Sequence, residues 1–164
     1  MRIGHSTNGT SCEYEMQDKL KEWLKEKGLI FIDEMFIPEV SRRPDFLVFK
    51  PGNGLINIEA KCNDHSEMIK QLGDNAKYCN YSFAFIPDYS ITSLETKREL
   101  EQNRFGLIIY NYQKGIITEA LEAHHNFKID RKMQKNISDR IKIELIKRKQ
   151  KEYIDTQQDL FNEV

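Results

Sequence analysis

The segment Ser41–Asp64, SRRPDFLVFKPGNGLINIEAKCND, leaves this chain few ways to fold. Its two apolar runs, Asp45–Phe49 and Leu55–Lys61, flank Pro51-Gly52-Asn53-Gly54. Proline presets one dihedral there and Asn-Gly tolerates positive φ, so the pattern predicts a β-hairpin. In the second run the two-residue period puts Ile56, Ile58 and Ala60 on one face and Asn57, Glu59 and Lys61 on the other. A Glu-x-Lys pair thus interrupts a strand otherwise suited to a sheet interior. A four-residue loop pairing Lys50 with Leu55 would set Asp45 opposite Ala60 and turn it from Glu59. Convergence of the two carboxylates therefore requires a five-residue loop, a bulge or a bend at Asp45.

The flanking sequence supplies helices and further strands. Thr10 or Ser11 caps a predicted helix to about Lys27, with Glu13, Met16, Leu20, Trp23/Leu24 and Lys27 on one stripe and Gly28 as its stop. Glu15 falls on the polar stripe with Asp18, Lys19 and Glu22. A first strand is expected over Leu29–Val40, limited by Pro38. After the hairpin, Asn63 or Asp64 caps a helix with Met68, Leu72, Ala76 and Cys79 on its apolar stripe and Gly73 as a weak point. Then come a strand Tyr81–Ile86, a polar helix Thr92–Gln102, a strand Phe105–Tyr110 apolar enough to be covered on both faces, and a strand Ile116–Leu121. A four-residue step through Ile129, Met133, Ile137, Ile141 and Leu145 marks an amphipathic helix from about Asp130 to Tyr153. This order predicts an α/β fold, a mixed central β-sheet flanked by helices. With 164 residues, the expected organisation is a core over 1–127, a basic helix over 128–155 and a tail over 156–164.

Bulk charge says little about partners. Lys and Arg number 25 against 26 Asp and Glu, a net charge of −1, so contact with nucleic acid must come from local clusters. Three cysteines, Cys12, Cys62 and Cys79, with no Cys-x-x-Cys and no matching histidines argue against a disulfide frame and a zinc site. No signal-peptide core or membrane-length apolar run is present, so the sequence predicts a cytoplasmic location with no membrane partner.

Hydrolysis of a phosphodiester needs an activated water, charge neutralisation at the phosphate and help for the leaving oxygen, which carboxylates holding Mg²⁺ largely supply. Glu13, Asp45 and Glu59 can form such a hard-oxygen site, with Lys61 orienting the water or stabilising the transition state. Glu13 also fits a capping box, Thr10-Ser11-Cys12-Glu13, and Glu59-x-Lys61 alone is an ordinary surface pair. Pro44-Asp45, thirteen residues, then Glu59-Ala60-Lys61 resembles the motif of the PD-(D/E)XK nucleases, which have the restriction-endonuclease-like fold. The first helix, acidic at Glu13 with Met16 and Leu20 following, is similar as well, as is the segment DNAKYCNYSFAFIP. The resemblance covers roughly residues 10–112. It implies a deoxyribonuclease using Mg²⁺, with Mn²⁺ as a substitute. Its metal set would be Glu13, Asp45, Glu59 and Ala60; its catalytic set would add Lys61 and Gln71. His65 lies where it would line the cleft. Archaeal Holliday-junction resolvases share the motif pair and act as dimers; a homodimer is compatible with this chain, whose sequence shows no clear dimer surface.

Contacts to DNA are expected from Arg42 and Arg43, just before Pro44-Asp45, from Lys70, and from Lys132 and Lys135 on the basic last helix. The tail Gln157-Gln158-Asp159-Leu160-Phe161 resembles the short peptide by which bacterial replication and repair proteins dock on the sliding clamp. That likeness implies that Gln157, Leu160 and Phe161 engage a partner. Two functions follow: a metal-dependent DNA endonuclease in restriction, repair or recombination, or a non-catalytic DNA-binding accessory docked on a clamp or larger complex.

Overall fold

In the computed structural model, which describes residues 11–50, 54–90 and 94–162, the hairpin forms and its register answers the question of convergence. Strand β2 (Phe46–Lys50) pairs antiparallel with β3 (Gly54–Ala60) through Lys50↔Gly54, Leu47↔Asn57 and Phe46↔Ile58. That register is one residue away from the four-residue-loop pairing. Continued past Phe46, it brings Asp45 level with Glu59, at a bend.

The hairpin sits in a six-stranded mixed sheet of order β1-β2-β3-β4-β5-β6. Strand β1 (Ile30–Asp33) pairs antiparallel with β2. Strands β4 (Tyr81–Pro87) and β5 (Gly106–Asn111) run parallel to β3, and β6 (Ile116–Leu121) closes the edge antiparallel. The crossovers are α2 (His65–Asn75) and α3 (Leu94–Gln102); α1 (Ser11–Glu26) precedes the sheet and α4 (Arg131–Asn162) follows it. The expected mixed α/β architecture is thus present, consistent with a restriction-endonuclease-like fold.

Alternation along β3 divides the core. Phe46, Val48, Ile56, Ile58 and Ala60 pack with Met16, Leu20 and Leu24 of α1 on one face. On the other, Leu47 and Leu55 pack with Ile137 and Ile141 of α4, while Met68 and Leu72 of α2 and Leu100 of α3 cover Ala84, Ile86 and Leu107. Helix α1 ends at Gly28, whose φ of +68° admits the reversal closed by Gly28 N–H to Lys25 O and Leu29 N–H to Leu24 O. Asp64 caps α2 by accepting from the Glu67 amide.

Three expectations are corrected. The first strand stops at Asp33 rather than Val40, because Glu34 and Ser41 adopt φ of +52° and +51° and an Ile37–Arg42 bridge folds the segment into a loop. That loop is held by Arg42, paired with Asp74 at 2.8 Å and Glu67 at 3.3 Å on α2, and by Arg140 with Glu39. The last helix does not end near Tyr153 but continues to Asn162, so Gln157 is helical. The cysteines are not all free: Cys12 and Cys62, 50 residues apart, form a disulfide with Cα atoms 6.5 Å apart, and only Cys79 stays free and buried. Spacing carried no sign of that bond, which exists because α1 crosses the end of β3.

Gly54 provides a stability test. Its φ is +74°, and an added Cβ would overlap the Asn80 carboxamide, with Asn80 Cγ 2.8 Å away. Asn80 Oδ1 already accepts from Leu55 N–H at 3.0 Å and from Gln134 Nε2 at 2.6 Å, so it has no room to yield. Gly54→Ala should cost about 2–4 kcal/mol in urea unfolding, combining left-handed backbone strain with overpacking.

Candidate active site

The parallel strands β3, β4 and β5 end at one edge of the sheet, where open α/β sheets present their ligand crevices. Glu59 stands one residue before the end of β3 and is 3% exposed. The bend at Asp45 turns its carboxyl group toward β3, where Oδ2 accepts the Ala60 amide at 2.8 Å. The Asp45 and Glu59 carboxyls lie close enough for each to shift the other's ionisation. Glu13, 6% exposed, comes from α1 on the opposite face, and its Oε1 accepts the Cys62 amide at 3.4 Å. The disulfide anchors both sides of that contact, since Cys12 precedes Glu13 and Cys62 is its donor. Lys61, half-buried, lies one residue past the end of β3, and its charge acts on both carboxyls.

Electrostatics separate the two acids. Burial pushes the Asp45 carboxyl up from 3.8 to about 6; hydrogen bonds from Ala60 and Glu59 and the charge of Lys61 restrain the rise, and Glu13 adds to it. Burial also raises Glu59 well above its ordinary value, and the negative charge of Asp45 raises it further. The two acids therefore titrate as one coupled pair, which holds a proton to higher pH than a free carboxyl does. Two adjacent acids, Glu59 buried and Asp45 half-buried, are costly to keep charged together even with a lysine beside them. Such clusters concentrate at functional sites.

Helix α2 supplies what sequence reasoning missed. Asn75, fully buried, donates Nδ2 to Glu59 Oε1 at 3.0 Å and accepts the Tyr78 hydroxyl at 2.9 Å. Burial raises the Tyr78 hydroxyl far beyond its ordinary value, which keeps it a donor. A polar Asn on the apolar stripe of Met68 and Leu72 was the available signal. Asn75→Leu should leave Glu59 and Tyr78 each short of a buried partner and cost about 2–4 kcal/mol in chemical denaturation. Equal stability of the variant and the parent protein would show that the Tyr78–Asn75–Glu59 relay carries no load.

The remaining residues singled out above are distributed as follows. Gln71 lies one turn before Asn75 on the same face of α2; its buried Oε1 has no hydrogen-bond partner among the described residues. His65, at the start of α2, contacts Thr96 through Nδ1 at 3.3 Å, and burial lowers its pKa. Arg42 is committed to Asp74 and Glu67, whereas Arg43, Lys70, Lys132 and Lys135 are exposed. Gln157 is half-buried near the end of α4, and the Leu160 and Phe161 side chains lie outside the described residues.

No known protein family matches this sequence, and no curated protein does. Among solved structures, the chain is similar to a protein of unknown function from Silicibacter pomeroyi, with a TM-score of 0.62 at 17% identity over 87% of this chain and 92% of that one. That likeness shows the fold. An XisH family protein from Nostoc punctiforme matches with a TM-score of 0.48 at 15% identity, over 65% of this chain and 98% of that one. SfsA from Pyrococcus furiosus, solved in complex with Ca²⁺, matches with a TM-score of 0.39 at 18% identity, over 68% and 64% of the respective chains.

Donor chemistry decides what the site can hold. Among the described residues, no three His, Cys, Asp or Glu side chains form a ready metal cage, and none of the helices is long and apolar enough to cross a membrane. Asp45 and Glu59 are nevertheless two hard-oxygen donors pressed together. Mg²⁺ in phosphoryl chemistry is characteristically held by one or two carboxylates, with waters and substrate phosphate completing its shell. The residues present fit a cation of that kind.

Proposed function

We propose that this chain is a metal-dependent DNA endonuclease that hydrolyses phosphodiester bonds. The observation that carries this reading is the Asp45–Glu59 pair, two coupled carboxyls at the end of β3 with the charge of Lys61 acting on both. Asp45 and Glu59 would hold Mg²⁺, with Mn²⁺ as a substitute, beside the backbone of Ala60, while Glu13 would act on Asp45 through its charge rather than as a third ligand. A divalent ion bound there supplies charge neutralisation at the phosphate and a more acidic water.

The protein's own groups do the rest. The pair must give up its proton to act as ligands, and Lys61 favours that loss by lowering the pKa of both acids. The Lys61 ammonium also faces the developing negative charge of the phosphorane-like transition state, where a fixed cation is worth more than in water. Asn75 holds Glu59 in place, and the unpaired Gln71 Oε1 offers an acceptor for the attacking water. Arg43 and Lys70 are the exposed cations of this neighbourhood for flanking phosphates, with Lys132 and Lys135 on α4.

The test is to incubate purified protein with supercoiled, linear and single-stranded DNA in Mg²⁺ or Mn²⁺. Cleavage that needs the metal and disappears in Glu59→Ala and Lys61→Ala is the expected result. DNA retention without cleavage in either metal would sink the enzyme reading and leave the accessory one.

A further inference from the structure

Helix α4 presents two faces, and the fold uses only one. Ile137 and Ile141 are fully buried against the sheet, with Met133 and Leu145 packed beside them. Gln134 reaches Tyr78 O and Asn80, Arg140 reaches Glu39, and Arg148 reaches Asp33 at 2.8 Å. Beyond Arg148, every described side chain except Gln157 is exposed.

The unused side of the helix is not polar. Ile143, Ile146, Tyr153 and Ile154 are 54%, 58%, 66% and 53% exposed. At roughly 100° per residue, Ile143 lies about 200° around the helix from Ile141, on the face opposite the docked one. The positions Ile143, Ile146, Gln150, Tyr153 and Gln157 follow one another at steps of three, four, three and four. That is the a/d spacing of a coiled-coil seam, and it continues past Arg148, the last docking contact named above.

The charges that flank the seam say what it fits. In this register three of the five e and g positions hold lysine, Lys142, Lys147 and Lys149, with Ile154 and Thr156 at the other two, while Glu144, Glu152 and Asp155 fall outside e and g. A second copy of the helix would set lysine against lysine in either orientation, because parallel pairs meet g to e and antiparallel pairs meet g to g and e to e. An acidic helix would meet them with opposite charge.

We infer that the outward face of α4 from Ile143 to Gln157 is the docking surface for an amphipathic helix of a different protein, one with an apolar a/d seam flanked by Glu or Asp. Ile143, Ile146 and Tyr153 are its anchors, Lys142, Lys147 and Lys149 select the charge, and Gln150 and Gln157 set the register. The inference does not depend on the nuclease reading.

The probe is a synthetic four-heptad peptide with Ile and Leu at a and d and Glu at e and g, titrated into the full chain by fluorescence anisotropy. A second peptide with Lys at e and g is the charge control. The acidic peptide should bind with a Kd of about 1–50 µM and at least about tenfold more tightly than the basic one. In the full chain carrying both Ile146→Gln and Tyr153→Gln, which change neither charge nor helix propensity much, its affinity should fall at least about tenfold. The circular dichroism of that variant should be unchanged, because both side chains are exposed. Equal affinity for the two peptides, or no binding of either at about 100 µM, overturns the proposal. Undiminished binding of the acidic peptide to the double variant would overturn it too, leaving the lysines a non-specific polyanion surface. So would a dimer in sedimentation equilibrium that the double variant abolishes, since a second copy would then occupy the seam.

Discussion

Lys61→Ala is expected to lower metal-dependent DNA cleavage by about 10²–10⁴-fold while leaving binding of the metal nearly intact. The lysine is no ligand in the proposed arrangement; it is a cation just past the end of β3 whose charge acts on both acids. Its loss removes charge from the transition state more than from the ground state, so kcat should fall more than KM rises. Glu59→Gln should be equally inactive for a different reason. Gln keeps the size of the side chain and can still meet Asn75 but cannot offer a carboxylate, so metal affinity should fall as well. Isothermal titration with Mn²⁺ separates the two, with heat retained in Lys61→Ala and lost in Glu59→Gln. If both variants cleave DNA within a factor of three of the parent, the activity belongs to another site or to a contaminant.

The legible part of this site is the part written in local pattern. Period-two alternation placed Glu59 and Lys61 on one face and Ile56 and Ile58 on the other; Ile56 and Ile58 pack against α1 while Glu59 stays off that cluster, and Lys61 falls just past the end of β3. The α1 stripe placed Glu13 with Met16 and Leu20, and all three are buried. What the sequence left open was register: parity depends on one residue of loop length, and the observed Lys50↔Gly54 pairing lies one step from the simple one. What it hid is long-range. Arg42 read as a free cation before Pro44-Asp45, but its partners Glu67 and Asp74 come from a helix formed later in the chain. The Cys12–Cys62 bond spans 50 residues, and Asn75 acts on Glu59 from 16 residues away across a helix–sheet contact. The loop after Asp33 looked like strand because its residues are apolar enough. Positive φ at Glu34 and Ser41, which neither residue type announces, ends it.

The second large effect is one of stability, and its sign is the reverse of the usual carboxylate case. In the unfolded chain Asp45 titrates near 3.8, and in the folded protein near 6, so the folded state holds the proton more tightly. Between those values the native state binds more protons than the unfolded one, and stability falls as pH rises. The shift corresponds to about 3 kcal/mol lost by Asp45 between pH 4 and pH 7. Glu59, also raised, extends the decline to higher pH. His65 acts the other way, its lowered pKa favouring the folded state as pH rises, so the total curve mixes signs and a difference curve is needed. Asp45→Asn removes one acid, keeps an acceptor for the Ala60 amide and lets Glu59 ionise without a charged neighbour. Thermal or urea unfolding should find the variant within about 0.5 kcal/mol of the parent at pH 4, yet more stable by about 1–3 kcal/mol at pH 8, while cleavage is lost. A divalent ion held by the pair would offset the same repulsion, so millimolar Mg²⁺ at pH 8 should stabilise the parent and leave Asp45→Asn unmoved. A variant destabilised equally at both pH values would show that Asp45 is a structural hydrogen-bonding residue, and the site would have to be sought elsewhere.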